Sequence, residues 1–442
     1  MALLLPISFS SHALTSKTSS VIHGNAPYLT FDGGLTRTIN TDGLLGISLS
    51  NGVRYTPSTN NSSTTPIELP VTGQSFADIS MLVPVDTDSI ALSTLVSSPY
   101  NYWGDDDGDG DITATGNLSL SIVDKNNKVV SRNTVPEICN APYRLNLANT
   151  YVALITRYGF PNTRSFDASS VIYYINPKAS PKVCFAKPIL MYGTGYYAGP
   201  TSIWDPDNGF LPQSTIPSSY SLNFPTTGAH GLYFDLDIGG INQSLSWEPV
   251  SHGGITATMS DSTSKRVRVT LSGPVATSSQ HMSSNPGNIP RPSLPQTFEL
   301  VGRDSRGNAV VKYGFTLKQW FVNRGGIEDS YSNTLSWCNN IGYRMPLVMD
   351  LTNASCQGSG SHPYCQGSVG ATPSSLNNLY QRRIGAGFFT EWGRMLSYSG
   401  IGFDRYGYWT SDSNGSYQFA VFAAYGDVGW AIDDNSVICA YP

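Results

Sequence analysis

Charge is what this chain has least of. Only 13% of its 442 residues are Asp, Glu, Lys or Arg, the formal net charge is -5, and no basic cluster occurs. Phosphate recognition depends on grouped Lys and Arg, so a nucleic-acid partner is excluded. Long apolar runs are missing too. None approaches the roughly 18 residues that cross a bilayer as a helix, and no transmembrane segment is expected. HExxH, G-x-S-x-G and phosphate-loop patterns are absent, and the histidines (His12, His23, His230, His252, His281 and His362) stand apart without metal spacing. Acidic pairs such as Asp235/Asp237 and Asp433/Asp434 accompany no acid/base motif, and a polar outer strand face accounts for the first pair. The expectation is a protein without catalytic activity.

What is present points outside the cytoplasm. Gly, Ser, Thr, Asn and Tyr are abundant, as in β-rich extracellular modules whose turns are frequent. The length exceeds one ordinary core and implies about two to four domains. All six cysteines lie beyond residue 138. Their even number, with no CxxC spacing, indicates oxidised thiols. Once the chain is separated into domains, the most economical pairing is local: Cys139 with Cys184, Cys356 with Cys365, and Cys338 with Cys439. At the start, the apolar run Ala2 to Phe9 precedes Ser11-His12-Ala13. This reads either as a signal peptide lacking its basic region or as an unstructured end over residues 1–20.

Alternating segments mark strands: Tyr28-Leu-Thr-Phe, Leu118 to Val123 and Ser170 to Ile175, then Gly231 to Ile238, Ile255 to Met259, Arg266 to Leu271 and Phe298 to Asp304. Asn126-Asn127 and Asp304-Ser-Arg-Gly-Asn308 read as hairpin turns, because Asn and Gly tolerate left-handed backbone. Thr56 to Pro66 and Ser278 to Pro295 read as loops. From about Thr316 the pattern changes. Leu335, Cys338 and Ile341 share one face of a helix that stops at Gly342, and a second short helix is expected over Ser374 to Arg383, with Leu376, Leu379 and Tyr380 buried. The organisation read from this is residues 21–200, a β-rich domain; 201–316, an immunoglobulin-like sandwich; and 317–442, a mixed α+β domain. The fold class is mainly β.

The densest chemical feature is Gly104-Asp-Asp-Asp-Gly-Asp-Gly-Asp111. Asp105, Asp107 and Asp109, with Gly110 and Ile112, satisfy the first half of a calcium loop in which alternate carboxylates converge on one hard cation. Asp111 is a further ligand candidate. The closing glutamate of an EF-hand is missing, its place being taken by Gly116, and the alternative is a solvated acidic turn.

The terminal segment opens with Trp337-Cys338 in WCNNIGYRMP, passes Cys356 and Cys365, reaches YWTSD at Tyr408 to Asp412, and ends just after Cys439. That order resembles the C-type-lectin-like domain of intimin- and invasin-type bacterial adhesins. Upstream, Asn140-Ala-Pro-Tyr143, Tyr158-Gly-Phe-Pro161, Cys184-Phe-Ala-Lys-Pro188 and Phe224-Pro225 to His230 resemble the adhesion domain of large Salmonella-type enterobacterial surface proteins. The resemblance implies a secreted or outer-membrane-associated virulence adhesin that binds a host-cell surface protein or glycan through its lectin-like tip. The Glu-Pro-Asn and Trp-Asn-Asp triplets of calcium-dependent lectins are absent, which favours a protein ligand. The barrel that anchors intimin and invasin is also missing, so either the chain is exported free or it docks on a separate outer-membrane anchor protein. Trp392, Tyr398, Phe403, Tyr406, Tyr417, Tyr425 and Trp430 are the candidate receptor-binding anchors, the alternative for each being a place in the core. The rival function is a secreted glycan-active hydrolase whose C-terminal module binds carbohydrate.

Overall fold

The computed structural model describes residues 25–442 apart from 39, 41, 107–109, 405, 416 and 432. The expected leader at 1–20 lies outside the described residues. The chain divides into two compact units, the first ending at Ala179 and the second running Ser180–Pro442. The division falls within Pro177-Lys-Ala-Ser-Pro181, two prolines around small and polar residues, the composition of a linker.

In the first unit a five-stranded sheet runs in the order Ile67–Glu68, Ser169–Asn176, Tyr143–Asn149, Asn117–Val123, Ser89–Ala91, and a three-stranded sheet in the order Thr163–Phe166, Val152–Thr156, Ile112–Thr115. Alternation decides the buried faces. Leu118, Leu120 and Ile122 pack with Leu145, Leu147, Leu154 and Phe166 in one core, while the intervening serines face outward. The Asn126-Asn127 turn forms as expected: Asn127 adopts φ +67°, and the Asp124 carboxylate accepts the Asn126 and Lys128 N–H groups.

The second unit holds three sheets around one continuous core. A seven-stranded sheet includes Lys182–Lys187, Tyr233–Gly239, Arg266–Ser272 and Ile255–Ser260, and a three-stranded sheet pairs Gln296–Arg303 with Ala309–Leu317; together they make the immunoglobulin-like sandwich. Asp235, on the first of these sheets, pairs with Arg268 at 2.9 Å, so its role is an ion pair on the sheet. The six-stranded sheet of the lectin-like part follows the order Thr227–Ala229, Gln319–Asp329, Asn435–Tyr441, Gly407–Asn414, Tyr417–Phe422, Val428–Ala431. Its first member comes from the sandwich half and lies parallel to Gln319–Asp329, with Gly228 opposite Trp320. A β-ladder therefore crosses the position at 316/317 where the sequence suggests a boundary, and Lys182–Lys187 places the segment after 180 in the second unit.

Helix Tyr331–Asn340 starts at Ser330, whose hydroxyl accepts the Asn333 N–H. Its buried face carries Thr334, Trp337 and Cys338, whereas Leu335 is turned outward, a correction to the expected stripe. Cys338 is bridged to Cys439 on the last strand, and Cys356 to Cys365. Cys139 and Cys184 are also disulfide-bonded. The helix expected over Ser374 to Arg383 does not form: the segment is a chain of bends and Leu376 is exposed. Its polar side chains bond to backbone instead. Asn378 donates to Gly360 O and Val428 O and accepts from Val428 N, and the Ser375 hydroxyl accepts from Asn377 N. The helix in this region is the short, buried Phe388–Trp392.

Candidate functional site

Two buried charged groups fasten the sandwich half of the second unit to the lectin-like half. The Glu391 carboxylate, fully buried, accepts from Thr226 N, Thr227 N, Gly385 N and both threonine hydroxyls at 2.6–3.1 Å. Burial pushes its pKa up while these donors pull it down, and burial is the larger effect. Arg382, also buried, donates to Ile189 O, Met191 O and Glu391 O, and its guanidinium lies over the Trp204 ring. Gly393 makes this possible. It adopts φ +77°, and a Cβ there would fall 1.9 Å from Arg382 Nη2.

On this frame sits a tyrosine patch assembled from segments distant in sequence. Tyr425, in the turn between Tyr417–Phe422 and Val428–Ala431, packs edge-on against Tyr192 at 4.8 Å, and their hydroxyls lie 3.4 Å apart. Tyr192 in turn packs on Tyr197, and the Arg394 guanidinium faces the Tyr192 ring at 5.9 Å. Tyr425 is 41% exposed and Tyr196 62%, with exposed Met191 and Leu396 in the neighbouring segments. Tyr192 itself adopts φ +56°, a left-handed backbone uncommon outside Gly and Asn. Burial pushes the Tyr197 hydroxyl up to about 12. The signal that sequence reading passed over is Met191-Tyr-Gly-Thr-Gly-Tyr-Tyr197, three tyrosines in a glycine-loosened stretch.

Asp427 closes the same turn. Its carboxyl, pushed up to about 6 by burial, has one oxygen buried without a partner among the described residues. The native state therefore keeps a proton that the unfolded chain releases near 3.8. Between these values the folded state binds more protons, so stability falls as pH rises from about 4 through about 6 and then levels off. We expect Asp427→Asn to remove this slope and to raise stability at pH 7.5 by about 1–3 kcal/mol. Urea midpoints measured across pH 4–8 check it. An unchanged slope in the variant would assign the dependence to another group.

A second aromatic group lies at the opposite end of that hairpin. Tyr417 and Trp430 stack at 4.4 Å with an interplanar angle of 3°, and Tyr364 meets Trp430 edge-on at 5.3 Å. The core-facing side of the sheet, which carries buried Phe419 opposite Trp430, here emerges into solvent.

The seven expected anchors thus separate. Trp392, Tyr398 and Phe403 are core residues, a correction: the Trp392 indole donates to Thr227 O, the Tyr398 hydroxyl donates to Trp392 O, and Phe403 packs against Phe388 and Tyr408. Their rings fill the lectin-like core because the turns around them bring apolar faces inward. Tyr406, Tyr417 and Tyr425 are exposed and Trp430 partly so. Of the acidic run, Asp107 and Asp109 lie outside the described residues; Asp105 and Asp111 are described, and neighbouring Asp106 is held by Arg37 at 2.7 Å. Among the described residues no three His, Cys, Asp or Glu come together as metal ligands. A cavity of about 450 Å³ bounded by Ala229, Pro274, Phe321 and Gly400 brings His230 and His281 to one space but is lined by no carboxylate.

Fold and surface together define a class: a mainly β protein whose immunoglobulin-like sandwich and α+β lectin-like part share one core and expose aromatic side chains. No known protein family matches the chain, and no curated protein does. Among solved structures it is similar to invasin, a bacterial integrin-binding protein, at 12% identity and a TM-score of 0.35, over 76% of this chain and 52% of that one. The chain thus spans about half of that structure. It is also similar to the C-terminal fragment of intimin in complex with the intimin-binding domain of the translocated intimin receptor, at 12% identity and a TM-score of 0.33, over 76% of this chain and all of that fragment. An intimin mutant from EHEC O157:H7 is similar at 13% identity and a TM-score of 0.28, over 50% of this chain and 89% of that one. Among the described residues no helix is long and apolar enough to cross a membrane.

Proposed function

We propose that the protein is an extracellular, non-catalytic adhesin of intimin/invasin type that binds a cell-surface receptor protein through its second unit. The observation that carries this reading is the patch of Tyr192, Tyr197, Tyr425 and Arg394, with the exposed Tyr196 adjoining Tyr197 in the chain. Tyrosine and arginine are among the side chains that dominate interface energetics: tyrosine brings large contact area with few rotatable bonds and a polar end, and arginine a planar charged group that stacks on rings and donates several hydrogen bonds. Here they stand on a frame locked by Glu391 and Arg382, so little ordering remains to be done when a partner arrives. Disulfide-bonded cysteines accord with an extracellular setting.

The reading is tested with purified full-length chain on cultured epithelial cells. Tyr425→Ala combined with Tyr196→Ala is expected to weaken cell binding by about tenfold or more, with an unchanged unfolding midpoint. Binding equal to that of the parent protein would reject the patch as the receptor site.

A further inference from the structure

The Tyr364/Tyr417/Trp430 group plays no part in that reading, and its surroundings specify a different ligand. Three segments bring the rings together. Tyr417 and Trp430 come from adjacent strands, in which Phe419 lies directly opposite Trp430 and Tyr417 is the next residue along on the same face. Tyr364 comes from the loop closed by Cys356 and Cys365, and Cys365, next in the chain, is buried. That loop is tied to the hairpin tip by Asn414 Nδ2, which donates to Gln366 O at 2.8 Å. The His362 ring lies 5.7 Å from that of Tyr364. The rings are therefore held in place before any ligand arrives, yet Tyr364 is 57% and Tyr417 43% exposed. Trp430 Nε1 and His362 Nδ1 are buried without a partner among the described residues.

The chemistry around the rings is uncharged. Residues 351–381 and 413–426 contain no Asp, Glu, Lys or Arg, and what flanks the aromatics is Asn, Gln, Ser and Gly. The charges nearest in sequence to Tyr417 and Trp430 are acidic, Asp412, Asp427, Asp433 and Asp434, while the stretch that carries Tyr364 is bounded by Asp350 and Arg382. An anionic ligand meets no cation on these two stretches, and a peptide anchored by acidic side chains finds no counterion on them. A flat aromatic face with amide and hydroxyl groups beside it suits the C–H face and hydroxyls of a neutral sugar ring.

We infer that this end of the second unit is a binding site for a neutral oligosaccharide, independent of any metal ion. One sugar ring stacks on the exposed face of Tyr417 and a neighbouring ring of the same oligosaccharide on that of Tyr364, the two faces being steeply inclined because Tyr417 is parallel to Trp430 and Tyr364 meets it at 64°. Their hydroxyls bond to the side chains of Asn414 and Gln366. The site is separate from the Tyr192/Tyr425 patch, so the two stand or fall independently.

The experiment applies the full-length chain to an array of neutral, sialylated and sulfated oligosaccharides, with and without EDTA, and then titrates the best neutral oligosaccharide calorimetrically. Retention of neutral structures that survives EDTA is expected. Tyr417→Ala and Tyr364→Ala should each weaken binding at least tenfold, Tyr417→Phe should retain it, and Tyr425→Ala should leave it unchanged. Circular dichroism confirms that each variant is folded. No retention of any neutral oligosaccharide, retention abolished by EDTA, or equal binding by the folded Tyr417→Ala and Tyr364→Ala proteins each overturns the inference.

Discussion

Glu391→Ala is expected to destabilise the second unit by about 4 kcal/mol or more. The substitution takes the acceptor from the buried N–H groups of Thr226 and Thr227, each of which costs about 1–3 kcal/mol when unpaired, and from the part-buried N–H of Gly385. The two threonine hydroxyls can turn to other acceptors, and water entering the space offsets part of the loss, which keeps the figure below a simple sum. A domain's whole stability is about 5–15 kcal/mol, so the variant should stand near the limit of folding at 37 °C. Glu391→Gln keeps an acceptor oxygen but points an NH₂ at backbone donors, and an intermediate loss is expected. Tryptophan fluorescence in urea follows the right part of the molecule, because all of the eight tryptophans except Trp103 belong to the second unit. A midpoint shift worth less than about 1 kcal/mol would show that the carboxylate is dispensable to the joint between the two halves.

The second large effect comes from the bridge between Cys338 and Cys439. It closes a separation of 101 residues, and loop-closure entropy assigns such a bridge about 4–5 kcal/mol, against about 2–3 kcal/mol for Cys356–Cys365 with its separation of 9. Cys338→Ser with Cys439→Ser should lower the melting temperature of the second unit by about 10 °C or more, and Cys356→Ser with Cys365→Ser by clearly less. Position adds to the argument. The long bridge pins helix Tyr331–Asn340 to the final strand, which pairs with Gln319–Asp329 and exchanges backbone bonds with Arg344 through Ala440. Scanning calorimetry of the two double variants decides the order. If the short-loop variant melts lower, packing around Cys365 and not chain entropy governs the unit.

Much of the local structure was legible. The strand at Asn117–Val123 announces itself by strict alternation, and the turns at Asn126-Asn127 and Asp304 to Asn308 by residues that accept left-handed backbone or bond to their own turn. The failures are instructive. Ser374 to Arg383 carries helical spacing, but the Asn378 side chain bonds to the backbone of Gly360 and Val428 and the Ser375 N–H donates to Asn353 O, and those bonds win over a weak intrinsic preference. Leu335 and Trp337 both suit a buried face, and only the neighbouring strands decide that Trp337 turns inward. The anchors divided the same way: a tryptophan in FFTEW and one in VGWAI look alike in sequence, yet the first is fully buried and the second supports an exposed stack.

Sequence by itself determined the class of this protein. Scarce charge, turn residues at short intervals, period-two alternation and an even set of cysteines are local or compositional properties, and they suffice for a mainly β, oxidised chain. Tertiary structure alone decided that the sandwich and the lectin-like part are one body and where its surface chemistry lies. The joint between Thr226 and Glu391 spans 165 residues, and the Tyr192–Tyr425 pair spans 233. Contacts at such separations leave no periodic trace in either segment, because they arise only when whole sheets have packed and the remaining polar groups must find partners.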